Sequence, residues 1–381
     1  MGMVGGGPGA FIGAVHRMAA ALDGQIELVC GAFSSDPEKS KITGKELYLH
    51  EARVYDSYQQ MIERERDLAE AVRMDMVSIV TPNHLHFPIA KMVMENGFHV
   101  MCDKPMTYDL SQAKELAEIV KRTGLLFGLT HNYTGYPMVK HARYLARTGR
   151  LGSIRKIVVE YPQGWLATKV EDTGQKQAEW RTDPKRSGLS SCIGDIGTHA
   201  ENLAEYISGL RITELCADLT TFVPGRKLED DGNILCRLEN GARMVLYASQ
   251  VSTGEENGLR IRVYGETDAI KWEQVEPNTL ILSHLDGPAQ ILRAGANYPD
   301  LSRGALHNTR LPAGHPEGFI EAFANIYRNF ALTLQCRLAS TRPENEYLDF
   351  PTVDDGVRGM AFIETVVKSS QSDRKWTKMS L

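Results

Sequence analysis

The chain has no run of apolar residues near the ~18 that a membrane-crossing helix needs. It has no excess of one charge either: 43 Lys and Arg stand against 48 Asp and Glu, a net charge of −5. That near-balance excludes a nucleic-acid binder that relies on a broad basic field. Cysteines are few, six in 381 residues, at positions 30, 102, 192, 216, 236 and 336. None forms a C-x-x-C pair, so no metal site or disulfide framework is expected. Several lie inside apolar runs such as Val100-Met101-Cys102, which indicates reduced, buried thiols in a cytoplasmic protein. No charged segment precedes an apolar stretch at the start, so a secretory signal is not expected. Internal repeats and long low-complexity tracts are also missing.

What is present suits two globular domains, with 42% hydrophobic and 24% charged residues. The first ~130 residues alternate short apolar runs with amphipathic stretches. Strands are expected at Met1–Val4, Ile26–Phe33, Met76–Val80, Phe98–Cys102 and Leu125–Thr130. Helices are expected from the glycines to about Leu22 and at Asp56–Val72, Pro88–Glu95 and Ser111–Arg122, the last capped by Asp109. This alternation predicts βαβ units and a parallel sheet. The opening strand has only four residues before the glycines, against the usual five or six. Either it is short, or it begins a residue or two before Met1.

Beyond Leu151 the texture changes. Strands are expected at Ile154–Tyr161, Ile212–Phe222, Asn233–Leu238, Arg243–Gln250, Leu259–Tyr264, Ala269–Trp272 and Thr279–Ser283. Asn240-Gly241 predicts a type I′ hairpin turn, and successive strands with tight turns predict an antiparallel sheet. Helices close the chain near Glu317–Leu334 and Val353–Ser369, and Asp286–Arg310 reads as one long loop. The expected class is α/β: a Rossmann-type parallel sheet in residues 1–135, then an α+β domain with a large, mostly antiparallel open sheet in residues 136–381. The final helices are free to pack back on the first domain.

Gly5-Gly6-Gly7-Pro8-Gly9-Ala10 fits G-x-G-x-x-A between a strand and a helix. Such a loop brings backbone amides and a helix N-terminus to a pyrophosphate. Gly5, Gly7 and Ala10, with Phe11 and Ile12 opening the helix, are candidate cofactor contacts. An acid at the end of the second strand would bind a ribose 2′-hydroxyl and repel a 2′-phosphate. Ser34 stands there, followed by Ser35, Asp36 and Lys39, and Asp36 is equally placed to cap a helix. The cofactor therefore reads as NAD or NADP, with a lean to NAD because no Arg follows Ser34.

Thr81, Pro82, Asn83 and His86 follow a parallel strand, where ligands bind. His84 and His86 have no third ligand nearby, so a cofactor-touching loop is the better reading than a metal site. Asp103-Lys104-Pro105 ends the next strand, and an ammonium there could stabilise a reacting oxygen. Asn132 and Arg181 complete the candidate cofactor set. Asp195 and His199 are four residues apart on a helical pattern running to Ile207. An imidazole suits proton transfer near neutral pH, but spacing alone favours a helix cap and a packed histidine. Trp165, Trp180, Arg181 and His315 are candidates for polyol contact, although core or loop roles are commoner for such residues.

Together these segments resemble the Gfo/Idh/MocA oxidoreductases, across nearly the whole chain. The resemblance rests on the Gly5–Ala10 loop, Thr81-Pro82-Asn83 with His86, Asp103-Lys104-Pro105, Trp180-Arg181 and Asp195 to His199, in that order. It implies a nicotinamide-dependent enzyme that oxidises a sugar or cyclitol hydroxyl, or reduces the ketone. It implies Lys104 as a substrate-contacting lysine, Asp195 as a substrate-binding carboxylate and His199 as the proton-transferring histidine. Asp103 departs from the commoner Glu, and Ser34 from the commoner Asp. The segment Phe11-Ile12-Gly13 to His16-Arg17 resembles one branch of the family.

The expected activity is an NAD(P)-dependent dehydrogenase of a sugar, glycoside or cyclitol, with Lys104, Trp165, Arg181, Asp195, His199 and His315 at the substrate. Two other readings stay open: a redox-neutral, NAD-dependent glycoside-cleaving enzyme, and a catalytically silent sugar- or nucleotide-sensing regulator. Partners in nucleic acid or membrane are not expected. Polar and apolar positions mixed on the second face of the later sheet predict a homodimer or homotetramer.

Overall fold

Short β-rich segments in the first part of the chain are apolar on both sides, which requires cover on both faces of a sheet. In the computed structural model, which describes residues 1–297 and 299–380, they form β1 (Gly2–Gly5), β2 (Cys30–Ala32), β3 (Met76–Val80), β4 (His99–Cys102) and β5 (Phe127–Leu129). All pair in parallel, in the order β2-β1-β3-β4-β5. Every residue of β3 is buried. The chain divides into one unit of Met1–Thr130 with Phe323–Val357 and a second of His131–Ala322 with Arg358–Leu381. Within the first, the Tyr327 hydroxyl lies 2.7 Å from Ser78 Oγ and 2.6 Å from His16 Nδ1, and Leu129 N donates to Pro351 O at 2.9 Å. Burial lowers the His16 pKa to about 4, so its ring is neutral.

Several expectations need correction here. Of Ile26–Phe33, only Cys30–Ala32 is strand. β2 is an edge strand that pairs with the short β1 over three residues, with one further bridge from Gly31 to Val54, so nothing extends a ladder back to Ile26. The helix read as Asp56–Val72 is Tyr58–Arg66, capped by the Ser57 hydroxyl. It stops because the Glu65 carboxylate turns the chain back: Oε1 accepts from Tyr55 Oη at 2.8 Å, Oε2 from Met74 N at 3.0 Å, and Arg53 binds both oxygens at 2.6 and 2.7 Å. The helix Pro37–Glu46, with few apolar residues to betray it, starts at Pro37 under the Asp36 cap.

The second unit holds β6 (Lys156–Pro162), β7 (Ile212–Thr220), β8 (Asp231–Leu238), β9 (Arg243–Ser249), β10 (Arg260–Tyr264), β11 (Asp268–Glu273), β12 (Thr279–His284), β13 (Gln290–Arg293) and β14 (Thr377–Lys378). They form one nine-stranded sheet, ordered β13-β12-β11-β10-β6-β9-β8-β7-β14. All neighbours are antiparallel except β6 and β9. One face is core: Met244, Leu246 and Ala248 of β9 are buried, whereas Val245 and Tyr247 on the other face are half-buried. The turn at Asn240-Gly241 is not type I′. Gly241 has φ 88°, Asn240 is not in the positive-φ region, and Gly241 N donates to Leu238 O at 2.9 Å. This is a three-residue loop with glycine in the left-handed position. The stretch Asp286–Arg310 is not one loop either. It contains β13 and the short helix Arg303–His307, capped by Ser302. Tyr298, in the same stretch, lies outside the described residues.

All six cysteines are free thiols. Among the described residues no helix is long and apolar enough to cross a membrane. Glu65→Ala is expected to cost about 3–5 kcal/mol, because it strands Arg53 and two further donors around a buried charge site. Urea unfolding followed by circular dichroism measures the loss.

Candidate functional site

In the first unit, the candidate dinucleotide loop is made largely of backbone. Gly7 N donates to Phe33 O at 3.0 Å, and a Cβ on Gly7 would lie 2.7 Å from that oxygen. A Cβ on Gly13 would meet Gly6 Cα at 2.3 Å. Only glycines let the loop lie on the end of β2 while the helix Phe11–Ala21 packs against it. That helix has no side-chain cap on its N-cap residue, Ala10, so its first-turn amides are open to an anion. Phe11 is exposed beside them. Thr81 Oγ1, after β3, is buried and has no hydrogen-bond partner among the described residues. A glycine cradle, open helix amides and an orphaned hydroxyl fit a dinucleotide.

Ser34, two residues past β2, accepts Asp36 N at 3.1 Å. Asp36 caps its helix through Glu38 N and Lys39 N and pairs with Lys39 Nζ at 3.3 Å. Its carboxylate is thus committed to local structure. Ser35 and Lys39 are exposed.

His86 is a brace within this unit. Its ring is buried, with Nδ1 2.8 Å from Pro105 O and Nε2 2.8 Å from Thr81 O. It ties the Thr81 loop to the Lys104 loop, and burial lowers its pKa. Asp103 Oδ1 accepts Lys104 N at 2.9 Å and Thr130 Oγ1 at 2.8 Å. Asp103 and His86 therefore hold the backbone on either side of Lys104. Asn83, next to Thr81 and Pro82, is buried.

The second unit carries the ionisable cluster. Asp195 does not cap a helix. It sits in a π-helical turn, Ile193–Gly197, that runs directly into the α-helix Thr198–Ser208 bearing His199. Such turns recur at functional sites. Buried Glu229 fixes the start of this segment: its Oε1 accepts Ser190 Oγ at 2.5 Å, Ser191 N at 3.0 Å and Ile193 N at 3.0 Å. Asp195 Oδ2 accepts Arg181 Nε at 3.0 Å and Gln250 Nε2 at 2.9 Å.

His199 is buried among rings, with Tyr133 at 4.8 Å and His131 at 5.2 Å between centroids. The Tyr133 and Tyr161 hydroxyls bond each other, and Tyr161 donates to Asn257 Oδ1 at 2.7 Å. Burial raises the pKa of both phenols, so both stay neutral. Trp165 Nε1 donates to Gln163 Oε1 at 3.0 Å, and Gln163 to Asn257 at 2.8 Å. Buried Asn132 Nδ2 and Gln250 Oε1 have no hydrogen-bond partner among the described residues.

Arg181, expected at the cofactor and substrate, is joined to Asp195, and its guanidinium lies 4.3 Å from the Trp180 ring and 6.0 Å from that of Trp165. His315 is exposed, its ring bonded to Pro312 O at 3.2 Å rather than to this cluster. Sequence reasoning missed His131, Tyr133, Tyr161, Gln163, Gln250 and Asn257. The available signal was Thr130-His131-Asn132-Tyr133, placed just past the end of β5.

Residues 1–131 match the model of an oxidoreductase family with an NAD-binding Rossmann fold, and residues 139–271 that of the GFO/IDH/MocA C-terminal domain. The chain is 34% identical to the uncharacterized oxidoreductase YfiI of Bacillus subtilis (strain 168), over 99% of this chain and 95% of that one. Among solved structures it is similar to an oxidoreductase from Sinorhizobium meliloti, at 43% identity and TM-score 0.89, covering 99% of this chain and 98% of that one. It is also similar to an inositol dehydrogenase homologue from Azotobacter vinelandii, at 34% identity over 99% and 96% of the two chains. The TM-score is 0.93 to the complex of that protein with NAD+ and 0.89 to its complex with NADH and myo-inositol.

Because Ser34 brings no charge and Asp36 is occupied, Ser34→Asp is expected to weaken NADPH binding about tenfold or more relative to NADH. Fluorescence titration with each reduced cofactor checks it. Equal effects on both would mean that position 34 does not face the ribose.

Proposed function

The chain belongs to the Gfo/Idh/MocA oxidoreductase family, and from that premise we propose that it is an NAD-dependent dehydrogenase of a cyclitol or sugar. The observation that carries this reading is the run from Asp195 to His199. It sets a carboxylate held by Arg181 and Gln250 and a buried imidazole on one continuous helical segment, amid amides and phenols. Amides and phenols are the groups that recognise a polyol by hydrogen bonds, and Asn132 Nδ2 and Gln250 Oε1 offer a donor and an acceptor still to be used. The likeness to a protein solved with myo-inositol points the same way.

In this mechanism the Gly5–Ala10 loop and Thr81 hold the dinucleotide. Bound there, the nicotinamide supplies the acceptor for a hydride from the carbinol carbon. His199 takes the hydroxyl proton. Lys104 donates a hydrogen bond to the oxygen as negative charge develops on it. Asp195, already neutralised in part by Arg181, accepts from neighbouring substrate hydroxyls and fixes which carbon reacts. Six free thiols support a reducing compartment such as the cytoplasm as part of this proposal.

His199→Ala and Lys104→Ala are each expected to slow turnover about 10²–10⁴-fold, the scale of a positioned acid–base group. NADH affinity should stay unchanged. The assay is a panel of cyclitols, sugars and glycosides with NAD+, followed at the reduced-nicotinamide absorbance. Release of sugar without net NADH would replace the dehydrogenase by redox-neutral glycoside cleavage, and near-native activity of either variant would remove that residue from the mechanism.

We also propose that the protein is a homodimer or homotetramer joined through the open sheet face. On that face Glu160 of β6 holds Arg260 at 3.0 Å and Arg262 at 2.8 Å, beside half-buried Val245 and Tyr247 and half-exposed Leu235. A mixed face of this kind suits a subunit interface. Light scattering at micromolar concentration should give a multiple of 42.4 kDa, and a 42.4 kDa species throughout would defeat the proposal.

A further inference from the structure

Two buried imidazoles meet in the second unit. His131 Nδ1 and His199 Nδ1 are 3.4 Å apart, with the rings nearly perpendicular at 84°. Both residues are buried, His131 at 2% exposure and His199 at 6%. A catalytic histidine is commonly oriented by a carboxylate on its second nitrogen. Here that nitrogen faces another histidine instead. The backbone of His131 is fixed by the 3-10 turn that follows it: its carbonyl accepts Thr134 N at 3.2 Å and Thr134 Oγ1 at 2.9 Å.

Two neutral imidazoles can share an Nδ1–Nδ1 contact in one way only: one carries the proton there and the other presents a lone pair. If His131 carried it, His199 would be protonated at Nε2 and could not accept a proton from a hydroxyl. If His199 carries it, Nε2 holds a lone pair, and Nε2 is the nitrogen turned away from His131. We propose that His131 is a positioning residue that accepts the Nδ1–H of His199 and so holds His199 in the Nδ1-protonated tautomer, in which Nε2 carries the lone pair that acts as the base. The inference rests on the reading of His199 given above. It deepens that reading by assigning the partner that sets its proton.

The arrangement has a chemical consequence. When His199 takes a proton at Nε2 it becomes a cation, and the bond to His131 becomes charge-assisted, hence stronger. His131 remains neutral, because a second proton on the pair would set two cations in contact. Tyr133 and Tyr161 are phenols held neutral by burial, and Asp195, on the same helical run, is engaged by Arg181 and Gln250.

Free imidazole in water favours the Nε2-protonated form, so the proposed state carries a signature. The protein, labelled with ¹⁵N in its 11 histidine rings, is examined by long-range ¹H–¹⁵N correlation at neutral pH. His199→Ala identifies the His199 signals by their loss. In the wild-type protein His199 is expected in the Nδ1–H pattern and His131 in the Nε2–H pattern. His131→Phe, which keeps a ring and removes the acceptor, should return His199 to the Nε2–H pattern. His131→Asn, whose side-chain oxygen can accept the same proton, should restore the Nδ1–H pattern. A wild-type His199 protonated at Nε2 overturns the proposal by itself, even if a variant fails to fold. So does a His131→Phe spectrum identical to wild type, or an Asn variant that behaves like Phe. The catalytic reading fails separately, if His199→Ala keeps its turnover while the tautomer pattern stands.

Discussion

A buried carboxyl group must be surrounded by hydrogen-bond partners, or the loss of its hydration goes uncompensated. Much of this structure is arranged around that requirement. Glu65 gathers Arg53, Tyr55 and Met74 N, and in doing so ends a helix and turns the chain into β3. Glu229 gathers Ser190, Ser191 N and Ile193 N at the entry to the π-helical turn. Glu205 binds Arg358 through both oxygens and takes Ile212 N at 2.8 Å where the same helical run ends. The helical run that carries Asp195 and His199 thus has a buried acid at each end. Asp195 differs from these anchors. Arg181 and Gln250 hold it through side chains, which can shift where a backbone amide cannot.

The two units solve different chemical problems with different materials. Recognition of a pyrophosphate needs many weak donors at close range, and backbone amides exposed by glycines supply them without a charged side chain. Polyol recognition needs donors and acceptors in a fixed pattern, which only side chains provide. Asparagine, glutamine and tyrosine crowd the second unit's cluster, which suits the polyol proposed for it. Histidine is rare enough that two in contact stand out, and their mutual orientation is enforced by the turn after His131 on one side and the helix on the other.

Legibility in the sequence follows the range of the interaction responsible. The glycine loop, β3 and the capped helix at Asp109 depend on neighbours within a few residues, and all were readable. Asp109 does accept Gln112 N at 2.8 Å. The mostly antiparallel second sheet was readable from alternation, but the parallel pairing of β6 with β9 was not, because nothing local encodes it. The length of β2 depends on its pairing with β1. The π-helical turn is set by Glu229, 34 residues beyond Asp195 in the numbering of the chain. Asp195 reached its partners at positions 181 and 250, and His199 its partner at 131, only through the tertiary fold. Asn240-Gly241 failed for a local reason: the same dipeptide serves two turn geometries, and only the backbone distinguishes them.

The first unit is closed by residues that come last. Tyr327 fills the space beside His16 and Ser78, and Pro351 pairs with the edge of β5, yet both follow eight of the nine strands of the second sheet in the chain. During synthesis the parallel sheet therefore waits unfinished. At about 5–20 residues per second, the ~190 residues between Thr130 and Phe323 take roughly 10–40 s to emerge from the ribosome. Through that interval a nascent chain exposes the apolar wall that Tyr327 will later cover. Vectorial folding, domain by domain, is not available to this topology, and a chaperone that shields the early strands would act on the intermediate most exposed to misassembly.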